Sequence, residues 1–185
     1  MESARERLLA AAARRFYANG ITATGVDTLI ADAKVAKMSL YNNFSSKDDL
    51  VTAYLHRRHN EWLELFNRRL AGAHTPRGRV LAVFDAYLDH AELAYEVGFR
   101  GCGLLNGAAE LPVGHPGREA VRGHKAEVQQ LVTELVAATG VGDPELVGEH
   151  IYLLVEGAMV SAGLDGSPDR LHRARNLAGA LLPSP

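Results

Sequence analysis

The chain has 185 residues, 47% hydrophobic and 23% charged, which suits one large or two small globular domains with a real core. No apolar run approaches the ~20 residues of a membrane span, and the early apolar positions are interleaved with Arg14 and Arg15, unlike a signal peptide. The single cysteine, Cys102, rules out an internal disulfide framework, and the net charge of −2 rules out a strongly basic nucleic-acid binder; a cytoplasmic protein is expected. Residues 1–50 carry seven Lys/Arg and six Asp/Glu, net +1, and residues 51–185 carry 13 and 16, net −3. That asymmetry is too small to assign a function, so local pattern has to carry it.

Helix punctuation runs the length of the chain. Ser3-x-x-Glu6 is a capping box ahead of the apolar stripe Leu8, Leu9, Ala12, Ala13 and Phe16, and Asn19-Gly20 ends that helix. Two short helical segments follow within 24–44, then Ser46-x-x-Asp49 opens a longer helix to about Leu70 with Tyr54, Trp62 and Phe66 among its apolar groups. Thr75-Pro76, Asp143-Pro144 and Ser167-Pro168 each place a capping oxygen before a proline at the first helical position. They predict helices near 76–98, 144–164 and 168–182. Val121, His124, Val128, Leu131 and Leu135 recur at three- and four-residue spacing and predict a helix over about 116–139. Alternating β-branched runs are missing, so the fold class is all-α.

Residues 24–44 carry the functional signal. Val26, Leu29, Ile30 and Ala33 give the first segment an apolar face, and Leu40 and Phe44 give the second one. With Leu40 and Phe44 inward, Lys37, Met38, Ser39, Tyr41 and Asn42 turn to solvent. Amides pair with base edges, lysine with phosphate or guanine, and a phenol with phosphate, so such a helix can read DNA.

Phe16-x-x-x-Gly20, Thr24 to Val35, and Lys37-Met38-Ser39-Leu40-Tyr41-Asn42-Asn43-Phe44-Ser45-Ser46-Lys47-Asp48-Asp49-Leu50 together resemble the N-terminal signature of the TetR family over about residues 5–55. The resemblance implies about nine helices, with residues 1–48 a helix-turn-helix DNA-binding domain and 49–185 an effector-binding and dimerisation domain. It implies a ligand-responsive transcriptional regulator of the repressor type, not an enzyme, without cofactor or metal. Its partners would be a pseudo-palindromic double-stranded DNA operator, a small-molecule effector and a second copy of the chain. By position, the DNA-binding residues would be Thr24, Thr28, Lys37, Met38, Ser39, Tyr41, Asn42, Asn43 and Lys47. Two departures stand out. Lys34 occupies a turn position where the family often has glycine, so either the turn holds a non-glycine residue in a less favourable conformation or it takes another shape, and facing phosphate is an alternative role for Lys34. Asn42 and Asn43 stand where many members have an aromatic and a histidine, so no relative's operator sequence carries over.

In the body, Gly101 to Gly107 superficially suggests a nucleotide loop, but helical pattern precedes it where a strand is needed. The segment instead resembles the family's short sixth helix. Polar groups on apolar faces mark effector-binding candidates: Phe84, Tyr87, Leu88, Phe99, Cys102, Leu105, Asn106, His124, His150 and Glu156. A plain packing role is the alternative for each of them. For the dimer surface, Gly157, Ala158 and Ser161 on one helix and Leu171, Ala174, Leu177, Ala178 and Leu181 on the next suit helices packing against their copies. Three rival readings stay open. Cys102 could act as a redox sensor. It could also serve as the nucleophile of a thiol enzyme with His124 or His150, though no nucleophile elbow accompanies it. His56-x-x-His59 has metal-ligand spacing without an evident third ligand.

Overall fold

A computed structural model describes residues 2–92 and 97–183. Among the described residues there are nine helices and no strand: α1 (Ala4–Asn19), α2 (Val26–Ala33), α3 (Lys37–Asn43), α4 (Lys47–Ala71), α5 (Pro76–Ala91), α6 (Gly103–Glu110), α7 (Pro116–Ala137), α8 (Pro144–Asp165) and α9 (Asp169–Leu181). The all-α class and the helix count agree with the sequence. The last turns expected for the helix at 76–98 fall partly on 93–96, outside the described residues.

Helix starts follow local chemistry. Ser3 Oγ accepts the Glu6 amide at 3.1 Å, Thr75 Oγ1 the Gly78 amide at 3.0 Å, and Asp143 Oδ1 the Leu146 amide at 3.0 Å. The Glu6 carboxylate turns to Arg57, 3.2 Å away, instead of completing the capping box. Ser46 Oγ accepts the Asp49 amide at 3.1 Å, and Asp49 in turn accepts the Ser45 amide at 2.8 Å. At α9, Ser167 Oγ takes the Asp169 amide at 3.2 Å, so Pro168 becomes the cap and the helix starts one residue later than expected. At α7 an imidazole does the capping: His115 Nδ1 accepts the Gly117 amide at 2.9 Å.

By packing, the chain forms two units, one comprising the chain up to His59 with Gly103–Arg122, the other Asn60–Cys102 with the chain from Gly123 onward. The sequence suggested a break between residues 48 and 49. In the packing, the first half of α4, all of α6 and the first turns of α7 cluster with the helix-turn-helix.

In the first unit, Leu8, Phe16, Leu29, Leu40, Leu50 and Tyr54 are buried, and the Phe16 and Tyr54 rings meet edge-on at 5.3 Å. α6 belongs to this core because its glycines leave room for it. A Cβ on Gly103 would stand 3.2 Å from the Tyr17 ring, and one on Gly107 3.0 Å from a Leu55 methyl. In the second unit α9 packs on α5 and α8 and buries Leu171, Ala174 and Ala178. Arg175 pairs with Asp85 of α5 at 2.6 Å. α8 approaches the Arg100–Gly101 backbone at Gly163, where a Cβ would lie 2.6 Å from Gly101 Cα.

Candidate functional site

The helix-turn-helix is held from behind. Arg15 of α1 donates two hydrogen bonds to Asp32 of α2, at 2.5 and 2.9 Å, and that contact holds the Asp32 carboxyl below the ordinary carboxylate range. Arg7 Nη1 donates to the Lys34 carbonyl at 3.2 Å. α2 ends with Lys34 at φ +52° and ψ +49°, so of the two turn shapes the sequence allows the chain takes the left-handed one, and Lys34 is, among the described residues, the one non-glycine with positive φ. The Val35 amide bonds back to Ile30 O and the Lys34 amide to Ala31 O, both at 3.1 Å, so the orphan carbonyls of α2 are satisfied even though a lysine occupies the glycine position.

The end of α6 grips the entry to this scaffold. Glu110 accepts the Ile21 amide at 2.9 Å and the Thr22 amide at 2.8 Å, while Lys47 Nζ donates to the Ile21 carbonyl at 2.6 Å. Burial pushes the Glu110 carboxyl up, but the two amides, the Thr22 side chain and the Lys47 charge outweigh it, so its pKa lies below the ordinary value. Gly20 faces this carboxylate at φ +89°. A Cβ there would sit 2.8 Å from Glu110 Oε1, so both conformation and space demand glycine.

On that frame α3 presents its reading face. Leu40 is fully buried and Phe44 nearly so, while Lys37, Met38, Tyr41, Asn42 and Asn43 are exposed and Ser39 half-buried. Thr28 on α2 is exposed beside them in sequence order. Asn43 Nδ2 donates to the Ser39 carbonyl at 2.7 Å. Lys37 Nζ stands 3.5 Å from Asp27, an exposed carboxylate of the first turn of α2 that the sequence analysis passed over. Two expected DNA residues point elsewhere. Thr24 is buried and donates its hydroxyl to the Gly20 carbonyl at 2.6 Å, closing the turn before α2. Lys47 is half-buried and occupied by the Ile21 carbonyl. Both are positioned to hold the scaffold, because each has a backbone oxygen to satisfy.

The effector candidates do not form one set. Leu105 and Asn106 belong to the first unit, His150 is exposed, and Phe84 and Leu88 are plain core. Phe99 packs on His90, ring centroids 6.1 Å apart. Tyr87, Cys102, His124 and Glu156 belong to the second unit's interior, and their hub is a residue the sequence analysis treated only as apolar filling, Trp62. Its ring lies 5.4 Å from Phe66, Tyr87 and His124. Burial first, then the charges that Cys102 and Glu156 can carry, push the Tyr87 phenol well above its ordinary pKa. Burial and Glu156 likewise push Tyr152 up to about 12. Glu156 itself pairs with Lys125 at 2.7 Å. Cys102 is buried, the usual setting of a packing cysteine. Among the described residues no third ligand joins His56 and His59.

The dimer candidates divide as well. Leu171, Ala174 and Ala178 are internal, because α9 needs small and inward groups where it lies on α5 and α8, and Ala158 is buried too. Gly157, Leu177 and Leu181 are exposed and Ser161 is half-buried. The outward apolar groups of α8 are ones the sequence analysis did not single out: Leu146, Leu153, Val160 and Leu164, from 53% to 83% exposed. With Gly157 they share one face of α8, since a helix returns to the same side after seven, eleven and eighteen residues.

The model of the bacterial regulatory proteins of the tetR family matches residues 8–54. A solved TetR-family transcriptional regulator from Streptomyces coelicolor is 35% identical, with a TM-score of 0.85, over 96% of this chain and 95% of its own. A TetR transcriptional regulator from Chloroflexus aurantiacus is 26% identical, with a TM-score of 0.80, over 96% of this chain and 92% of its own. The regulatory protein TetR from Rhodobacter sphaeroides, 24% identical, shares the fold with a TM-score of 0.81, over 97% of this chain and 99% of its own. No curated protein matches the chain. No helix among the described residues is long and apolar enough to cross a membrane.

Proposed function

Because the chain belongs to the TetR family of bacterial regulatory proteins, we propose that it is a ligand-responsive transcriptional repressor that binds a pseudo-palindromic operator as a homodimer. One arrangement supports the DNA-reading role above all: α3 is anchored by Leu40 and Phe44 and turns Lys37, Met38, Tyr41 and Asn42 outward. A helix so placed enters the major groove with its outward side chains toward base edges. Asn42 and Lys37 then read bases, and Tyr41 reaches phosphate. Thr28, Ser39 and Asn43 border that face. The dimer forms through the outward face of α8 with Leu177 and Leu181 of α9, and the effector binds in the second unit around Trp62 and Tyr87.

The test is selection of duplexes from a random library by the full chain. The expected product has dyad symmetry, with half-sites about 34–36 Å apart, and binds two chains. Asn42→Ala should relax preference at particular base pairs and leave others alone. Leu153→Arg combined with Leu177→Arg should give monomers in sedimentation and weaken operator binding. If no sequence is enriched, or a Lys37→Ala/Asn42→Ala variant selects the same one, α3 is not the reading helix. If the double arginine variant stays dimeric, the dimer face is elsewhere.

A further inference from the structure

We propose that the second unit takes an uncharged, planar aromatic compound bearing hydrogen-bond acceptors, read by the indole N–H of Trp62 and the phenol O–H of Tyr87. This rests on the effector-sensing role proposed above and adds the ligand's chemical class.

Trp62 and Tyr87 are 5% and 2% exposed. Their polar atoms, Nε1 and Oη, are buried and, among the described residues, have no acceptor. Proteins seldom leave such groups unmatched, because a buried donor without a partner forfeits its hydrogen bond to water and gains nothing in return. Here two of them occur in one aromatic cluster, their ring centroids 5.4 Å apart. An indole N–H only donates, so it asks for an acceptor. The Tyr87 phenol stays protonated at any physiological pH, since burial and nearby negative charge hold its pKa well above the ordinary value, and it too has a proton to give.

The surroundings set the rest of the class. Trp62 lies parallel to Phe66, with 3° between the planes, and meets the His124 ring edge-on at 83°. A molecule entering this cluster meets aromatic rings, and stacked and edge contacts favour a flat aromatic guest. Charge is disfavoured in both signs. The nearby Glu156 carboxylate is already matched by Lys125 at 2.7 Å, and both side chains are mostly buried. An added anion would meet Glu156 with its counter-charge taken, and an added cation would find that carboxylate occupied.

Trp62 is the only tryptophan in the chain, so its fluorescence reports directly on the cluster. The probes are 9-fluorenone, coumarin and acetophenone, with fluorene as the ring system lacking a carbonyl and fluorene-9-carboxylate as its anion. At least one carbonyl probe should quench Trp62 saturably, with affinity confirmed by calorimetry, and 9-fluorenone should bind more tightly than fluorene or the carboxylate. Tyr87→Phe should weaken carbonyl binding about 3- to 10-fold, the worth of one neutral hydrogen bond, and leave fluorene unchanged. Without ligand, Tyr87→Phe should melt at the same temperature as wild type or higher, because it removes an unmatched hydroxyl. The proposal is overturned if no carbonyl probe binds, if fluorene or the anion binds as tightly, if Tyr87→Phe weakens fluorene equally, or if Tyr87→Phe alone lowers the melting temperature. Operator affinity is measured separately by fluorescence anisotropy. Carbonyl binding that obeys the Tyr87 rule while operator affinity stays constant supports the ligand class and overturns the sensing role.

Discussion

Replacing Glu110 with glutamine probes how α6 holds the DNA-reading unit. The wild-type carboxylate accepts the Ile21 and Thr22 amides at 2.9 and 2.8 Å. Glutamine keeps one carbonyl oxygen for one amide and sets an NH2 group against the other. A hydrogen bond to a charged acceptor is worth about 1.5–3 kcal/mol, and the exposed Thr22 bond takes the lower end, so the loss should be about 1–2 kcal/mol. For a chain of this size that lowers Tm by roughly 2–8 °C. The pH dependence has a definite sign. The folded Glu110 pKa lies below its unfolded value, so its stabilisation is complete above the ordinary carboxylate pKa and disappears as pH falls through the folded one. A protonated Glu110 resembles glutamine, so the gap between the two proteins should close in acid. Thermal melts across pH, with hydrogen exchange at the Ile21 and Thr22 amides, measure this directly. Equal stability at pH 7, or a gap that persists undiminished in acid, would refute the two-amide account.

Lys34→Gly relieves a left-handed residue at φ +52°. That strain is worth about 1–2 kcal/mol against about 0.5–1 kcal/mol of added glycine entropy, so Tm should rise by a few degrees; a fall would show that the lysine side chain holds the turn. Gly163→Ala puts a methyl 2.6 Å from Gly101 Cα and 2.7 Å from its nitrogen, backbone atoms that cannot swing away. It should cost about 1–3 kcal/mol in denaturant unfolding, and an unchanged midpoint would count against the close approach. Asp27→Asn releases Lys37 from its partner 3.5 Å away, and should raise affinity for random duplexes and steepen the salt dependence by about one unit. The effect should vanish in a Lys37→Met background; if it does not, Asp27 acts on DNA directly.

Much of the fold could be read from the sequence because it depends on near neighbours. Ser3, Thr75 and Asp143 each cap an amide three residues on, and that relation is visible in the chain itself. The glycines of α6 were legible as small residues of a short helix, but not in what they pack against. Their purpose depends on Tyr17, Ile21 and Leu55, residues far away in sequence that a Cβ on Gly103 or Gly107 would meet. The same holds for Thr24 and Lys47. Their chemistry suits DNA, and their positions match the family's contacts, but the carbonyls of Gly20 and Ile21 claim them in the folded chain. Hydrogen-bonding capacity is written in the sequence, whereas the competition for it is settled by tertiary contacts.

The dimer surface shows the same limit from the other side. α8 is apolar on most of its sides, and on α9 Leu177 and Leu181 border the stripe of Leu171, Ala174 and Ala178, so periodicity alone could not say which groups turn inward. Tertiary packing decides. α9 lies on α5 and α8 through Leu171, Ala174 and Ala178, and at Gly179 a Cβ would stand 3.0 Å from an Arg77 nitrogen. Small residues are needed there because the helices come close. Leu171, Ile151 and Met159 also turn inward, while other large groups of the two helices face outward: Leu164 is 83% exposed, Leu177 57% and Leu153 55%. Burying a leucine is worth about 1.5–3 kcal/mol, and a two-fold interface counts each residue twice. Scaled by these exposures, each leucine favours association by about 2–5 kcal/mol if fully covered, against a cost of association of about 4–15 kcal/mol. Three covered leucines supply a sum comparable with that cost, so losing two of them matters: arginines at Leu153 and Leu177 should separate the chains, while Ala174→Arg should disrupt the unit itself.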